Sequence, residues 1–285
     1  MPASGMPPSV QAQRLAIFGI TGRMGRSLLR VLNEENSWRL SGALASPQSP
    51  SLGQDAAGAG APTGVRVTAD PRTALEDAEG READAAVDFS TAEAVAAHAR
   101  ACAAAGVPLL VGTTALQPDG LAALTLAAET IPVLIAPNTS VGVGVLAELV
   151  RLAARALPDG YDVEIHEAHH RMKRDAPSGT ALKLGEIVTL ARTGSGRPQN
   201  LVDVAVYDRH GAQAPRASGS IGFSVVRGGD IVGEHTVIFA GDGERLEITH
   251  RATDRDVFAR GALRGAAWLV RRAPGMYRMQ DVLRT

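Results

Sequence analysis

From residue 15 onward, short apolar runs alternate with Ala-rich amphipathic stretches, the pattern of a parallel sheet covered by helices. The runs at 15–18, 40–44, 65–68, 85–89, 108–111 and 133–136 predict strands, and 26–32, 92–105 and 121–130 predict helices. Ser90 and Glu93 stand at capping-box spacing, which would start a helix directly after the strand ending at Phe89. Beyond Asn138 the texture changes. A helix is predicted over 143–157, then the alternating strand YDVEIHEA, a loop, and a helix over 180–192. LVDVAVY, FSVV, EHTVIFA and RLEITHRA predict strands of an antiparallel or mixed sheet, with VRGGDIV supplying a glycine turn. A last helix is predicted over 258–270, with Thr253 and Asp256 at capping-box spacing.

The expected fold class is therefore α/β: a Rossmann-like dinucleotide-binding domain over 15–138 and 253–285, and a second α+β domain with a mixed sheet over 139–252. Residues 1–14 are expected to be a disordered tail, and the Ser-, Pro-, Gly- and Ala-rich stretch 46–64 a mobile surface loop.

Composition narrows the partners. Of the 285 residues, 45% are hydrophobic and 21% charged, with a formal charge of −1, so nucleic acid has no electrostatic footprint to bind. No apolar run approaches the roughly 18 residues of a membrane span. The lone Cys102 has no partner for an internal disulfide, which fits a cytoplasmic location.

Between the first strand and first helix lies GITGRMG, with glycines at 19, 22 and 25. The middle one comes a residue later than in the usual G-x-G-x-x-G fingerprint, but the physics survives the shift. Gly19 makes the tight turn, Gly22 lets backbone approach a pyrophosphate, and Gly25 lets helix and strand pack closely. Arg23 and Arg26 add positive charge. At the end of the second strand the candidate positions are Ala45 and Ser46, without the acid that normally repels a 2′-phosphate, so NADPH is expected to serve at least as well as NADH. The later strand ends carry DFS at 88–90 and GTT at 112–114, where an open sheet exposes its ligand crevice.

The densest chemistry is EIHEAHHRMKRDAPSGT, residues 164–180. His169, His170 and Lys173 fall within five residues, and Ser178, Gly179 and Thr180 follow at an expected helix start. A small dicarboxylate suits such a place: the basic side chains supply charge, and the amides bind carboxylate oxygens. A metal centre from His166, Glu167, His169 and His170 is the weaker reading, because adjacent strand residues point to opposite faces. An aldehyde dehydrogenase would need a nucleophilic cysteine, and Cys102 falls inside an expected helix.

At these residues the chain resembles the 4-hydroxy-tetrahydrodipicolinate reductase (dihydrodipicolinate reductase) family, through GITGRMGR, VDFS, VGTT, APNTSVGVG, EIHEAHHRMKRDAPSGTAL and GFSVVRGGDIVGEHTVIFAGDGERLEITHRA. The resemblance implies cofactor contacts from Gly19, Ile20, Thr21, Gly22, Arg23 and Met24, from Gly112, Thr113 and Thr114, and from Ala136, Pro137, Asn138 and Thr139. It implies proton transfer by His169 and Lys173, with His170, Gly179 and Thr180 holding substrate carboxylates; the reading of the residues themselves adds Lys173 and Ser178 as substrate donors and expects no metal. The implied reaction takes hydride from NADPH or NADH to C4 of a small cyclic dicarboxylate, in lysine and diaminopimelate biosynthesis, within a homotetramer. Two positions depart from the family pattern, Thr139 where Phe is common and Gly144 where Asn is common.

Overall fold

The first apolar run is sealed from water because helices cover both faces of its sheet; Leu15, Ala16, Ile17 and Phe18 are all fully buried. The computed structural model describes residues 12–192, 200–211 and 214–284. Residues 1–11 of the expected tail lie outside the described residues, and Gln13 and Arg14 already belong to the first strand.

In chain order, β1 (Gln13–Phe18), α1 (Arg23–Leu32), β2 (Trp38–Leu44), β3 (Val67–Thr68), β4 (Ala85–Asp88), α2 (Val95–Ala105), β5 (Leu109–Val111), α3 (Pro118–Ala127) and β6 (Pro132–Ile135) build the first part. The chain then forms α4 (Val141–Ala156), β7 (Asp162–His169), α5 (Gly179–Ala191), α6 (Leu201–Val204), β8 (Ala205–Val206), β9 (Ile221–Arg227), β10 (Gly233–Gly241) and β11 (Glu244–Ala252). It closes with α7 (Asp256–Leu269), β12 (Gly275–Arg278) and α8 (Met279–Leu283). Two compact units result: one runs through Ser140 and resumes at Asp256, and the other is Val141–Arg255.

The first unit holds a seven-stranded sheet in the order β12-β6-β5-β4-β1-β2-β3, with parallel pairing. The order reverses at β1, which lies between β2 and β4, so the ligand crevice of such a sheet opens at the C-terminal ends of β1 and β4. Cys102 lies on α2 with no exposed surface, in the core between α2 and the sheet, and burial pushes its thiol well above the ordinary range. That state is the reverse of an activated nucleophile.

The second unit is a mixed five-stranded sheet, β11-β10-β7-β9-β8: β10 is antiparallel to β7 and β11, while β9 is parallel to β7 and β8. Alternation along β7 sends Val163, Ile165 and Glu167 into the interior, and α4 and α5 supply apolar side chains to the same core.

Three local expectations are corrected. The helix expected over 92–105 starts at Val95, because the Ser90 amide and hydroxyl both donate to Asp88 Oδ1 instead of capping. LVDVAVY is mostly helix α6, with strand only at Ala205–Val206. Finally, stretch 46–64 is built around the Asp55 carboxylate, which accepts hydrogen bonds from the amides of Ala57, Thr63 and Gly64 and from the Thr63 hydroxyl.

Candidate active site

In the first unit, Gly19 leaves β1 at φ +83°, and a Cβ there would stand 2.5 Å from the Phe89 carbonyl oxygen at the end of β4. The turn thus depends on glycine for both its backbone conformation and its closeness to β4. Gly19 and Ile20 donate their amides to Leu44 O, and the Gly22 amide donates to Gly19 O. Gly22 then precedes α1 with extended backbone, which puts Arg23 and Met24 in the first helical turn, where the helix dipole favours an anion. A Cβ at Gly25 would lie 2.4 Å from Gly19 O, so this glycine serves the close packing of turn and helix. Arg26 turns to the Ala57 carbonyl, whereas Arg23 and Thr21 are exposed at the turn.

The neighbouring strand ends are held from beneath by Asp88, fully buried at the end of β4. Its carboxylate meets His98 Nδ1 at 2.7 Å and accepts from the Ser90 and Thr113 hydroxyls at 2.6 and 3.0 Å. The amides of Gly112 and Thr113 both donate to its carbonyl. Gly112 is small for a reason the sequence does not show: a Cβ there would overlap the Phe89 ring, 2.0 Å from Cε1. Thr114 is exposed beyond this anchor. After β6, Ala136 is buried, Pro137 exposed and Asn138 half-buried with its Oδ1 accepting from the Ser140 amide. The Thr139 hydroxyl donates to Phe258 O of α7 at 2.7 Å, so its side chain ties strand end to helix. All four segments, 19–24, 88–90, 112–114 and 136–139, follow the C-terminal ends of β1, β4, β5 and β6. No acid stands at Ala45 or Ser46, and the Ser46 hydroxyl is paired with Gln48.

The second unit centres on Glu167, fully buried near the end of β7. Its Oε2 lies 2.5 Å from His169 Nδ1 and 2.8 Å from Arg227 Nη1; its Oε1 accepts from Arg227 Nη2 at 2.8 Å and from the Ser178 amide at 3.0 Å. Burial pushes this carboxyl up, but Arg227, His169 and the Ser178 amide together hold it below the usual carboxylate range. Burial pulls the His169 imidazole below its ordinary value despite the facing carboxylate, so it is neutral at pH 7.

Ser178 caps α5, its hydroxyl accepting from the Ala181 amide at 3.2 Å and meeting His235 Nε2 at 3.0 Å. Gly179 and Thr180 open that helix, and the space where a Cβ on Gly179 would project is empty to 4 Å. The His235 ring is 5.2 Å from that of His169, edge to face. In the loop between, Lys173 Nζ is 2.8 Å from Asp175 Oδ1, and the Asp175 carbonyl accepts from Arg227. His170 is half-buried and lends its carbonyl to the Lys173 amide.

One end of β7 and one end of α5 thus bring together His169, Lys173, Ser178, Gly179 and Thr180. Sequence reasoning did not assign Glu167, Arg227 or His235 to the site. The signal for Glu167 was available: it continues the inward file of Val163 and Ile165, where a lone carboxylate demands partners.

Comparisons with known proteins agree with this architecture. The chain matches the family described as dihydrodipicolinate reductase, N-terminus, over residues 13–139, and that described as dihydrodipicolinate reductase, C-terminus, over residues 142–283. A 4-hydroxy-tetrahydrodipicolinate reductase of Anaeromyxobacter dehalogenans (strain 2CP-1) is 50% identical over 272 residues, covering 95% of this chain and 97% of that protein. One from Thiobacillus denitrificans is 51% identical over 271 residues, covering 95% and 98%. The solved structure of a dipicolinate-bound dihydrodipicolinate reductase from Paenisporosarcina sp. TG-14 shares the fold, with a TM-score of 0.71 at 24% identity over 94% of this chain and 97% of that one. With both halves matched and curated relatives near half identity along almost the whole length, the chain belongs to the dihydrodipicolinate reductase family.

Proposed function

We propose that this chain reduces 4-hydroxy-tetrahydrodipicolinate to tetrahydrodipicolinate with loss of water, in lysine and diaminopimelate biosynthesis. The observation that carries the reading is the Glu167 carboxylate, which joins His169 and the N-terminal cap of α5 through direct hydrogen bonds. That arrangement sets a proton-transfer side chain beside a helix start suited to a carboxylate.

The first unit fits a pyridine dinucleotide, because the turn 19–24 keeps its backbone bare where a pyrophosphate would lie, and 112–114 and 136–139 flank the same sheet edge. When bound, such a cofactor supplies hydride to C4 of the substrate ring. Gly179 and Thr180 at the start of α5, with His170 and Lys173, hold the two carboxylates. His169 and Lys173 manage the proton that must reach the carbon beside C4, and the Lys173 ammonium stabilises negative charge developing in the ring. Arg23, together with the missing acid at Ala45, favours acceptance of the 2′-phosphate, so NADPH and NADH both serve. Four copies assemble, as in the implied homotetramer; light scattering of the purified protein tests that number.

Supplying the purified chain with the condensation product of pyruvate and aspartate semialdehyde, and following nicotinamide absorbance with each cofactor, tests the reaction. Oxidation of NADPH at least as efficient as that of NADH is expected, and a strong preference for NADH overturns the cofactor assignment. Lys173→Ala is expected to lower kcat by about 10² to 10⁴ while dinucleotide affinity stays within about twofold. Wild-type turnover by that variant removes Lys173 from the mechanism.

A further inference from the structure

The Glu167 carboxylate has about four lone-pair directions, and four donors surround it: both arms of the Arg227 fork, the Ser178 amide and a ring nitrogen of His169. A carboxylate so saturated by a guanidinium is ionised and accepts only. The proton shared with His169 therefore belongs to Nδ1, which leaves Nε2 as the ring nitrogen that exchanges protons. Gly233 at the start of β10 keeps the Nε2 edge clear, since a Cβ there would come within 3.1 Å of that nitrogen. The same guanidinium donates to the Asp175 carbonyl at 2.6 Å, and Asp175 is the ion-pair partner of Lys173. One arginine thus braces both the histidine and the lysine loop.

Resting on the proton-transfer reading above, we propose that Glu167 and Arg227 are positioning residues: Glu167, held ionised by the Arg227 fork, locks His169 as its Nδ1–H tautomer, and Arg227 fastens the Lys173 loop to the same carboxylate. Neither touches the reacting ring; each acts through His169 or Lys173. The charged and titratable groups facing His169 are Glu167 on its own strand, Arg227 on β9, His235 on β10 and Lys173 in the loop, with Asp175 acting on Lys173 and Arg227 and His250 of β11 acting on His235.

Two measurements test this. Long-range proton–nitrogen spectra of the wild-type protein with nitrogen-labelled histidines report the ring tautomer directly, without turnover. A neutral His169 protonated at Nδ1 is expected, and protonation at Nε2 overturns the proposal. In steady-state kinetics, Glu167→Gln is expected to lose about a hundredfold in kcat, the lower end of what a general acid or base supplies, with an altered pH profile and a dinucleotide KM within about twofold. Arg227→Lys keeps the charge but not the fork; an intermediate loss is expected, and it carries the kinetic test should Glu167→Gln fail to fold. Wild-type kcat and pH profile in the folded variant overturn the proposal. Undiminished turnover by His169→Gln would instead sink the proton-transfer reading, leaving the tautomer result standing.

Discussion

Replacing Gly19 with alanine meets two obstacles at once. Its φ of +83° costs an L-residue roughly 1–2 kcal/mol, and the new Cβ would sit 2.5 Å from a backbone oxygen that cannot swing aside. Gly19→Ala is expected to lower Tm by several degrees and to weaken dinucleotide affinity about tenfold or more; calorimetric titration alongside a thermal melt checks both. Unchanged affinity would mean that this turn does not hold the pyrophosphate. At this scale the sequence was legible wherever chemistry was contiguous, as in GITGRMG and residues 169–180. It was opaque where a pair spans distance: nothing in the order of residues links Glu167 to Arg227, 60 positions later. Gly112 carries a second demand that residue order hides, because a Cβ there would overlap the Phe89 ring.

Among elements, the packing of α7 on the segment after β6 leaves no room for a side chain. A Cβ on Gly261 would fall 1.8 Å from Thr139 O, while Thr139 also donates to Phe258 O of the same helix. Gly261→Ala must push helix and strand end apart, and overpacking of this kind costs about 1–3 kcal/mol, more where backbone has to move. Urea unfolding should show that loss, whereas Gly160→Ala, where the space around an added Cβ is open, should show little. Equal effects of the two would refute the contact argument. Periodicity found the parallel strands and long helices because burial on one or both faces dictates their pattern. It missed β12, whose Gly-Met-Tyr-Arg has half its residues exposed and gains its strand state from pairing with β6. It misread α6, four residues too short to display a helical period. Ser90 looked like a cap because the buried demand of Asp88 for donors is a tertiary fact.

For the molecule as a whole, acid acts on the buried His235, His169 and Glu167. Burial pushes His235 down to about 3 from 6.5, so below pH 6.5 the unfolded chain takes up a proton that the folded chain refuses. Stability then falls with pH at up to ~1.4 kcal/mol per pH unit for that one group, until the folded form also protonates near pH 3. His169, lowered in the same direction, adds to the slope. Glu167 joins later: its contribution is intact above its unfolded value of 4.5 and is lost as pH falls through its lower folded value. The free energy of unfolding in urea should therefore be smaller at pH 5 than at pH 7, and His235→Gln should flatten that difference. Identical slopes for wild type and variant would exclude His235 as a source.

The order of strands along the chain also has a consequence for biosynthesis. α7 and β12, which complete the first unit, are encoded after the entire second unit, so a ribosome delivers Val141–Arg255 before the partner of β6 exists. Until then β6 presents an unpaired edge, the kind of surface on which nascent chains adhere to one another. The dinucleotide half is thus begun first and finished last, and its maturation waits on the synthesis of α7 and β12.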